Sequence, residues 1–153
     1  MLLDPATDLR ARPTWLGILA RADADRIAHC LTDAPALPDF TRLRGPETGM
    51  AMIRARMGGS GAAFNVGEIT IARCTIRDVT GRIGHGYATG RDLVHAELVA
   101  RIDAALQNPV LQDRLIDAVV APLAAEIAAR RAAIEAQAQA TEVKFFTLAS
   151  MRS

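Results

Sequence analysis

Ile83-Gly84-His85-Gly86-Tyr87-Ala88-Thr89 alternates between two kinds of residue. Successive side chains of a strand point to opposite faces. Ile83, His85, Tyr87 and Thr89 then share one face, and Gly84, Gly86 and Ala88 share the other. A face of two glycines and an alanine lets another backbone approach closely. The segment that follows, Arg91–Gln107, carries Val94, Leu98, Ile102 and Ala105/Leu106 at helical spacing and is the candidate for that approach. Asn108-Pro109 stops it. Upstream, Val79-Thr80-Gly81-Arg82 reads as a hairpin turn with Gly81 at positive φ. Val66–Val79, rich in β-branched residues, is the partner strand.

Working outward, Met50–Met57 reads as another strand. Ala51, Ile53, Ala55 and Met57 lie on one face, and Met52, Arg54 and Arg56 on the other. Gly58-Gly59-Ser60-Gly61 breaks it. Before the strands, Arg10–Ala20 (with Trp15, Leu16, Ile18 and Leu19) and Ala24–Leu31 show helical periodicity. Asp33–Asp39, with Pro35 and Pro38, is a loop. After Pro109 a helical region runs from Val110 towards Gln139, with Pro122 starting a new segment or kinking the old one. Val143–Leu148 is short, aromatic and β-like. The fold class is therefore α+β: a small, mainly antiparallel sheet from the chain centre, with N-terminal helices and a C-terminal helical region packed on it. The 153 residues read as a single domain, with 1–9 and 149–153 as loose termini.

Half of the residues are hydrophobic but only 4% are aromatic, so Ala, Val, Ile and Leu must fill the core. A formal net charge of +1 argues against a general nucleic-acid binder. Cys30 and Cys74 read as free, core-forming thiols in a reducing cytoplasm. Residues 1–10 have no signal-peptide pattern. No apolar run reaches the length of a membrane span.

Several residues are candidates for chemistry. Gly58-Gly59-Ser60-Gly61 follows a strand, so its amides are placed either to cradle an anion or to form a tight connection. It lacks the Lys-Ser/Thr of a P-loop. Arg54 and Arg56 share a strand face, as do Arg73 and Arg77. If the two strands pair, these make either a cationic patch for phosphate or phosphonate oxygens or a solvated or subunit-contacting face. Asp92 is placed to favour the helix dipole. His95, four residues after Arg91, reads as a helix-end histidine contacting another subunit, with acid/base or phosphate contact as the alternative. Glu97 points away from His95, and with His29, His85 and His95 as the only histidines no zinc site is expected. No nucleophile with its base is recognisable.

The sequence resembles the PhnG subunit family of the bacterial carbon–phosphorus lyase system. The resemblance rests on Glu47-Thr48-Gly49, Ala55–Gly61, Phe64 with Gly67, Thr70 with Arg73, Gly90-Arg91-Asp92, His95-Ala96-Glu97, Ile102–Leu106, Ala121-Pro122-Leu123 and Phe145-Phe146-Thr147. Lys144 departs from the acidic residue common in the family, although Glu142 is close by. The resemblance implies a cytoplasmic core complex with partner subunits, the nucleosidase-like subunit first, and two copies of this chain in a symmetric hetero-oligomer. Its implied reaction moves the ribose triphosphate of ATP to an alkylphosphonate such as methylphosphonate. Adenine leaves, and alpha-D-ribose 1-methylphosphonate 5-triphosphate forms. A radical iron–sulfur subunit later cleaves the C–P bond. This chain is expected to bind no cofactor or metal alone and to shape a partner's site. If it touches substrate, the candidates are Arg56, Arg73, Arg91 and His95, with the amides of Gly58, Gly59 and Gly61. Asp92, Glu97, Phe145 and Phe146 are interface candidates. No catalytic residue is assigned beyond His95 as a possible acid/base. The alternatives are an interaction module whose Gly/Arg region is only an interface, and a self-sufficient anion-binding enzyme.

Overall fold

The computed structural model describes residues 8–56 and 61–140. Two short helices, α1 (Arg12–Leu19) and α2 (Ala24–Cys30), precede three strands: β1 (Phe40–Ala55), β2 (Phe64–Asp78) and β3 (Ile83–Thr89). Helix α3 (Leu93–Leu106) follows, then α4 (Pro109–Leu115), a π-helical turn (Ile116–Val120) and α5 (Ala121–Ala140). The strands form one antiparallel sheet in the order β1-β2-β3. The expected α+β class is what the chain adopts.

The glycine face of β3 sets the architecture. A Cβ on Gly84 would overlap the Ala100 carbonyl oxygen and lie 2.8 Å from the Ala104 nitrogen. One on Gly86 would overlap the Ala96 carbonyl oxygen and lie 2.6 Å from the Ala100 nitrogen. Helix α3 therefore rests directly on the strand backbone. Its Ala96, Ala100 and Ala104, at i, i+4 spacing, face Ala72, Cys74, Ile76 and Ala88 of the sheet. Its opposite side buries Val99, Ile102 and Leu106 among Trp15, Ile18, Leu19, Ile27, Leu115, Val119, Val120 and Leu123. Cys30 and Cys74 are both buried free thiols, and burial pushes the Cys74 thiol up.

Asp103 fastens three elements together. Its carboxylate is fully buried. It accepts from Arg12 Nε at 3.0 Å and Arg12 Nη2 at 2.6 Å, from Trp15 Nε1 at 2.9 Å and from the His85 amide at 2.8 Å. Helices α1 and α3 and the outer edge of β3 thus meet at one side chain.

Local chemistry sets the boundaries. Gly81 adopts φ 89° in the β2–β3 turn, where Asp78 Oδ1 accepts from the amides of Thr80 and Arg82. Asp92 caps α3 by accepting from the His95 amide at 2.9 Å. Asn108 caps α4 in the same way, at 3.1 Å to the Val110 amide. Pro122 sits in the first turn of α5, and the π-helical turn lies just ahead of it. A proline cannot donate to the carbonyl four residues back; the wide turn takes up that break. Strand β1 starts at Phe40 rather than Met50, because its first half is held by ions rather than by apolar alternation. Arg42 pairs with Glu97 of α3 at 2.5 and 3.1 Å, and Phe40 lies under Arg101, 4.8 Å from the ring centroid.

Two parts project from this body. Strand β3 pairs only with Ile71–Arg77 of β2, so Met50–Ala55 and Phe64–Thr70 continue as a two-stranded ribbon. Met50 and Met52 on it are 68% and 63% exposed. The last turns of α5, residues 128–140, are exposed on every side. Among the described residues, no helix is long and apolar enough to cross a membrane.

Candidate functional site

Helix α3 covers one face of the sheet. The other face is open, and the strand register sets residues of the three strands side by side on it. One row is Glu47, Arg73 and Tyr87; the next is Arg44, Thr75 and His85; a third is Thr41, Arg77 and Ile83. Neighbouring strands lie about 4.8 Å apart, so each row sets its residues side by side. Tyr87 is 51% exposed.

A bulge assembles the central pair of rows. Arg44 lies opposite Thr75 and Glu47 opposite Arg73, so three steps on β1 match two on β2. Gly45 takes up this geometry at φ 69°, and the Gly45–Pro46 peptide is cis. A Cβ on Gly45 would stand 2.7 Å from the Arg73 carbonyl oxygen. Proline is tolerated here because β1 is an edge strand with no donor to supply outward. The bulge puts Arg44 and Glu47 on the same side. Glu47 Oε1 then accepts from Arg44 Nε at 2.7 Å and from Arg73 Nε at 2.8 Å. Beside them, Thr75 Oγ1 and His85 Nδ1 are 3.2 Å apart.

The Arg44 guanidinium first, with Arg73 beside it, holds the Glu47 carboxyl below the usual carboxylate range. A depressed folded-state pKa means that this triad's contribution is present above the unfolded pKa and is lost as pH falls through the folded one. The Glu47 carboxyl, followed through the Arg44 and Arg73 Nε–H shifts, should therefore titrate with a midpoint below that of an unpaired glutamate, and Arg73→Ala should move the Glu47 midpoint upward. A native midpoint at the ordinary glutamate value would rule the triad out.

With Arg44, Arg73 and Arg77 against Glu47, this face carries a surplus of positive charge. Guanidinium groups bind phosphoryl oxygens in forked geometry. On an open sheet such bonds are weakened by water, so the face gains strength only when a second surface covers it.

The other sequence candidates are dispersed. Arg54 lies opposite Asn65, whereas Arg73 lies opposite Glu47 and Arg77 opposite Thr41. Eight positions along β2, roughly 26 Å, separate Asn65 from Arg73, so the four arginines do not form one patch. Arg56 is exposed just past the end of β1. Gly61 has φ 111° and open space around it; Gly58 and Gly59 lie outside the described residues, as do Lys144, Phe145 and Phe146. Arg91 is exposed and precedes α3, which starts at Leu93, so it shares no helical face with His95. His95 does not stand at the surface for another subunit: it is 7% exposed and its Nε2 lies 2.9 Å from the Leu19 carbonyl oxygen. Glu97 is paired with Arg42 inside the chain, and Asp92 is the helix cap. Among the described residues, no three His, Cys, Asp or Glu side chains cluster so as to hold a metal ion.

Residues 10–151 match the family model described as phosphonate metabolism protein PhnG. The chain belongs to the PhnG family. It is also similar to the protein named alpha-D-ribose 1-methylphosphonate 5-triphosphate synthase subunit PhnG, from Rhizobium meliloti (strain 1021). The two are 36% identical over 137 residues, which is 90% of this chain and 87% of that protein. Among the residues that carry the PhnG resemblance, two structural groups stand out. Glu47 and Arg73 form the ion cluster on the open face. Asp92, Ala96, Glu97 and Asp103 hold α3 in place. Sequence reading singled out Arg73 but missed Arg44, His85 and Tyr87 as its neighbours. The signal was available: His85 and Tyr87 alternate onto the large-residue face of β3, opposite to the face that meets α3.

Proposed function

We propose that this chain is a subunit of an assembly that makes alpha-D-ribose 1-methylphosphonate 5-triphosphate, working in the cytoplasm beside a nucleosidase-like partner. Two copies would sit in a symmetric hetero-oligomer. In the reaction, the bond from ribose C1 to adenine breaks, a phosphonate oxygen forms the new bond to C1, and adenine leaves with a proton. ATP and the alkylphosphonate are substrates of the assembly, and this chain binds no cofactor of its own. Its PhnG membership and the printed name of its Rhizobium relative support this reading.

The observation that carries the subunit role is the open sheet face, where Arg44, Arg73 and Glu47 form an ion cluster without a covering wall. A partner surface seated there would exclude water and turn the arginines into donors for triphosphate or phosphonate oxygens. The interaction-module reading is favoured by the exposed large apolar side chains Met50, Met52, Phe64 and Val66 on the ribbon, since exposed apolar surface marks interfaces.

The test is adenine release from ATP plus methylphosphonate, with the purified partner subunits and with this chain included or omitted. Release is expected only when the chain is included. Arg73→Ala should then lower turnover roughly a hundredfold, the scale seen when one transition-state donor is removed, while the complex still elutes intact. Loss of turnover in proportion to loss of assembly would favour the interaction module instead. Equal product without the chain would refute both roles in transfer.

A further inference from the structure

A cavity of about 430 Å³ lies at the start of α3, beside the end of β3. Four parts of the chain wall it: the α1–α2 connection from Ala20 to Ala24, the end of β3 at Thr89, Asp92 and His95 of α3, and Arg130 of α5. Its size falls in the range of small-molecule sites. Ala20, Ala22 and Ala24 leave the space open, and the remaining wall is polar.

The polar groups differ in what they offer. Arg130 and the Asp23 carboxylate make no hydrogen bond or ion pair among the described residues. Arg21 uses its Nε on the Gly17 carbonyl at 2.7 Å, which leaves its terminal nitrogens available. His95 is nine-tenths buried in the cavity wall. Because the Leu19 carbonyl can only accept, His95 Nε2 carries the proton of that contact. His95 Nδ1 makes no hydrogen bond among the described residues, and a ring nitrogen can pair with a hydroxyl group. Asp92 is occupied by the α3 cap.

The cavity thus sets two guanidinium groups, Arg21 and Arg130, beside the Asp23 carboxylate and the His95 ring. The guanidinium groups suit anionic oxygens, and the carboxylate and the ring nitrogen suit hydroxyl groups. We infer that this cavity binds a sugar phosphate, with the phosphate on Arg21 and Arg130 and the hydroxyls on Asp23 and His95. This site is separate from the Glu47–Arg73 face, and the inference does not rest on the synthase reading.

Titration calorimetry on the full chain alone tests it, because no partner and no turnover are involved. The probes are ribose 5-phosphate, glucose 6-phosphate, inorganic phosphate and free ribose. At least one sugar phosphate should bind with a Kd of about 1 mM or tighter, tenfold or more below the Kd of inorganic phosphate or ribose. Arg21→Ala and Arg130→Ala should each weaken it tenfold or more, and Asp23→Asn should remove the advantage over inorganic phosphate. Arg114→Ala, an exposed arginine on α4, should leave it unchanged. All these substitutions lie on exposed side chains, so folding is checked by an unchanged circular dichroism spectrum. Absence of sugar-phosphate binding, equal affinity for inorganic phosphate, or insensitivity to both arginine variants would overturn the inference.

Discussion

Replacing Asp103 with alanine is expected to cost about 3–5 kcal/mol of stability, the range for breaking one side of a buried ion pair. The carboxylate is fully buried and accepts four hydrogen bonds, from Arg12, Trp15 and the His85 amide. Alanine leaves all of those donors facing a hole. The Trp15 indole N–H and the His85 amide then lose their partner in a dry site, which costs more than the bonds themselves contribute. The Arg12 side chain is 40% exposed, so its charge can turn towards water, and the loss is set mainly by the other donors. A whole domain is stable by about 5–15 kcal/mol, so the variant would stand close to unfolding. Asp103→Asn keeps the shape and one acceptor and should fall between the two. Urea unfolding followed by Trp15 fluorescence measures both. A loss below about 1 kcal/mol for Asp103→Ala would show that the carboxylate does not hold the three elements together.

Gly86→Ala should have the next largest effect. A single methyl added there would overlap the Ala96 carbonyl and press on the Ala100 nitrogen. Both obstacles are helix backbone, so no rotamer change relieves them. Strand β3 and α3 must separate, and Ala72, Cys74 and Ala88 would lose close contact with the helix. Overpacking of a core costs about 1–3 kcal/mol, and more where backbone has to move, so about 3 kcal/mol is the expected loss. Gly81→Ala is the informative comparison, since nothing lies within 4 Å of a Cβ there and only its φ of 89° is at issue. Thermal unfolding of the two variants separates packing from backbone conformation. Equal destabilisation would mean that the close approach at Gly86 is not what matters.

The sheet–helix core was readable because its signal is local. Seven residues of β3 display the period of two, and α3 follows at once with its own spacing. The first half of β1 was not readable. Its stabilising partners are charged side chains brought in by the fold: Glu97 meets Arg42 from 55 positions away, and Arg101 lies over the Phe40 ring. Which arginines would meet was unreadable for a related reason. The register sets Arg54 opposite Asn65, far along β2 from Arg73 and Arg77, and period alone does not tell which residues of two strands face one another. His95 looked like a surface histidine because the carbonyl it meets belongs to Leu19, 76 positions earlier. Glu47 and Arg73 were visible as separate motif residues. Their meeting depends on the bulge at Gly45-Pro46, which the alternation of apolar residues does not encode.

The link from Arg12 to Asp103 spans 91 positions, and this has a consequence for synthesis. At the ribosome's 5–20 residues per second, roughly 5–20 s pass between the appearance of the two residues. Helix α1 is made before α3 and waits for it through that time. Trp15, Ile18 and Leu19, all destined for the helical core, stay uncovered until α3 and the helices after it have been made. The α1 segment is therefore translated well before its partners and is among the last to settle, and during that wait it is the stretch a chaperone would find.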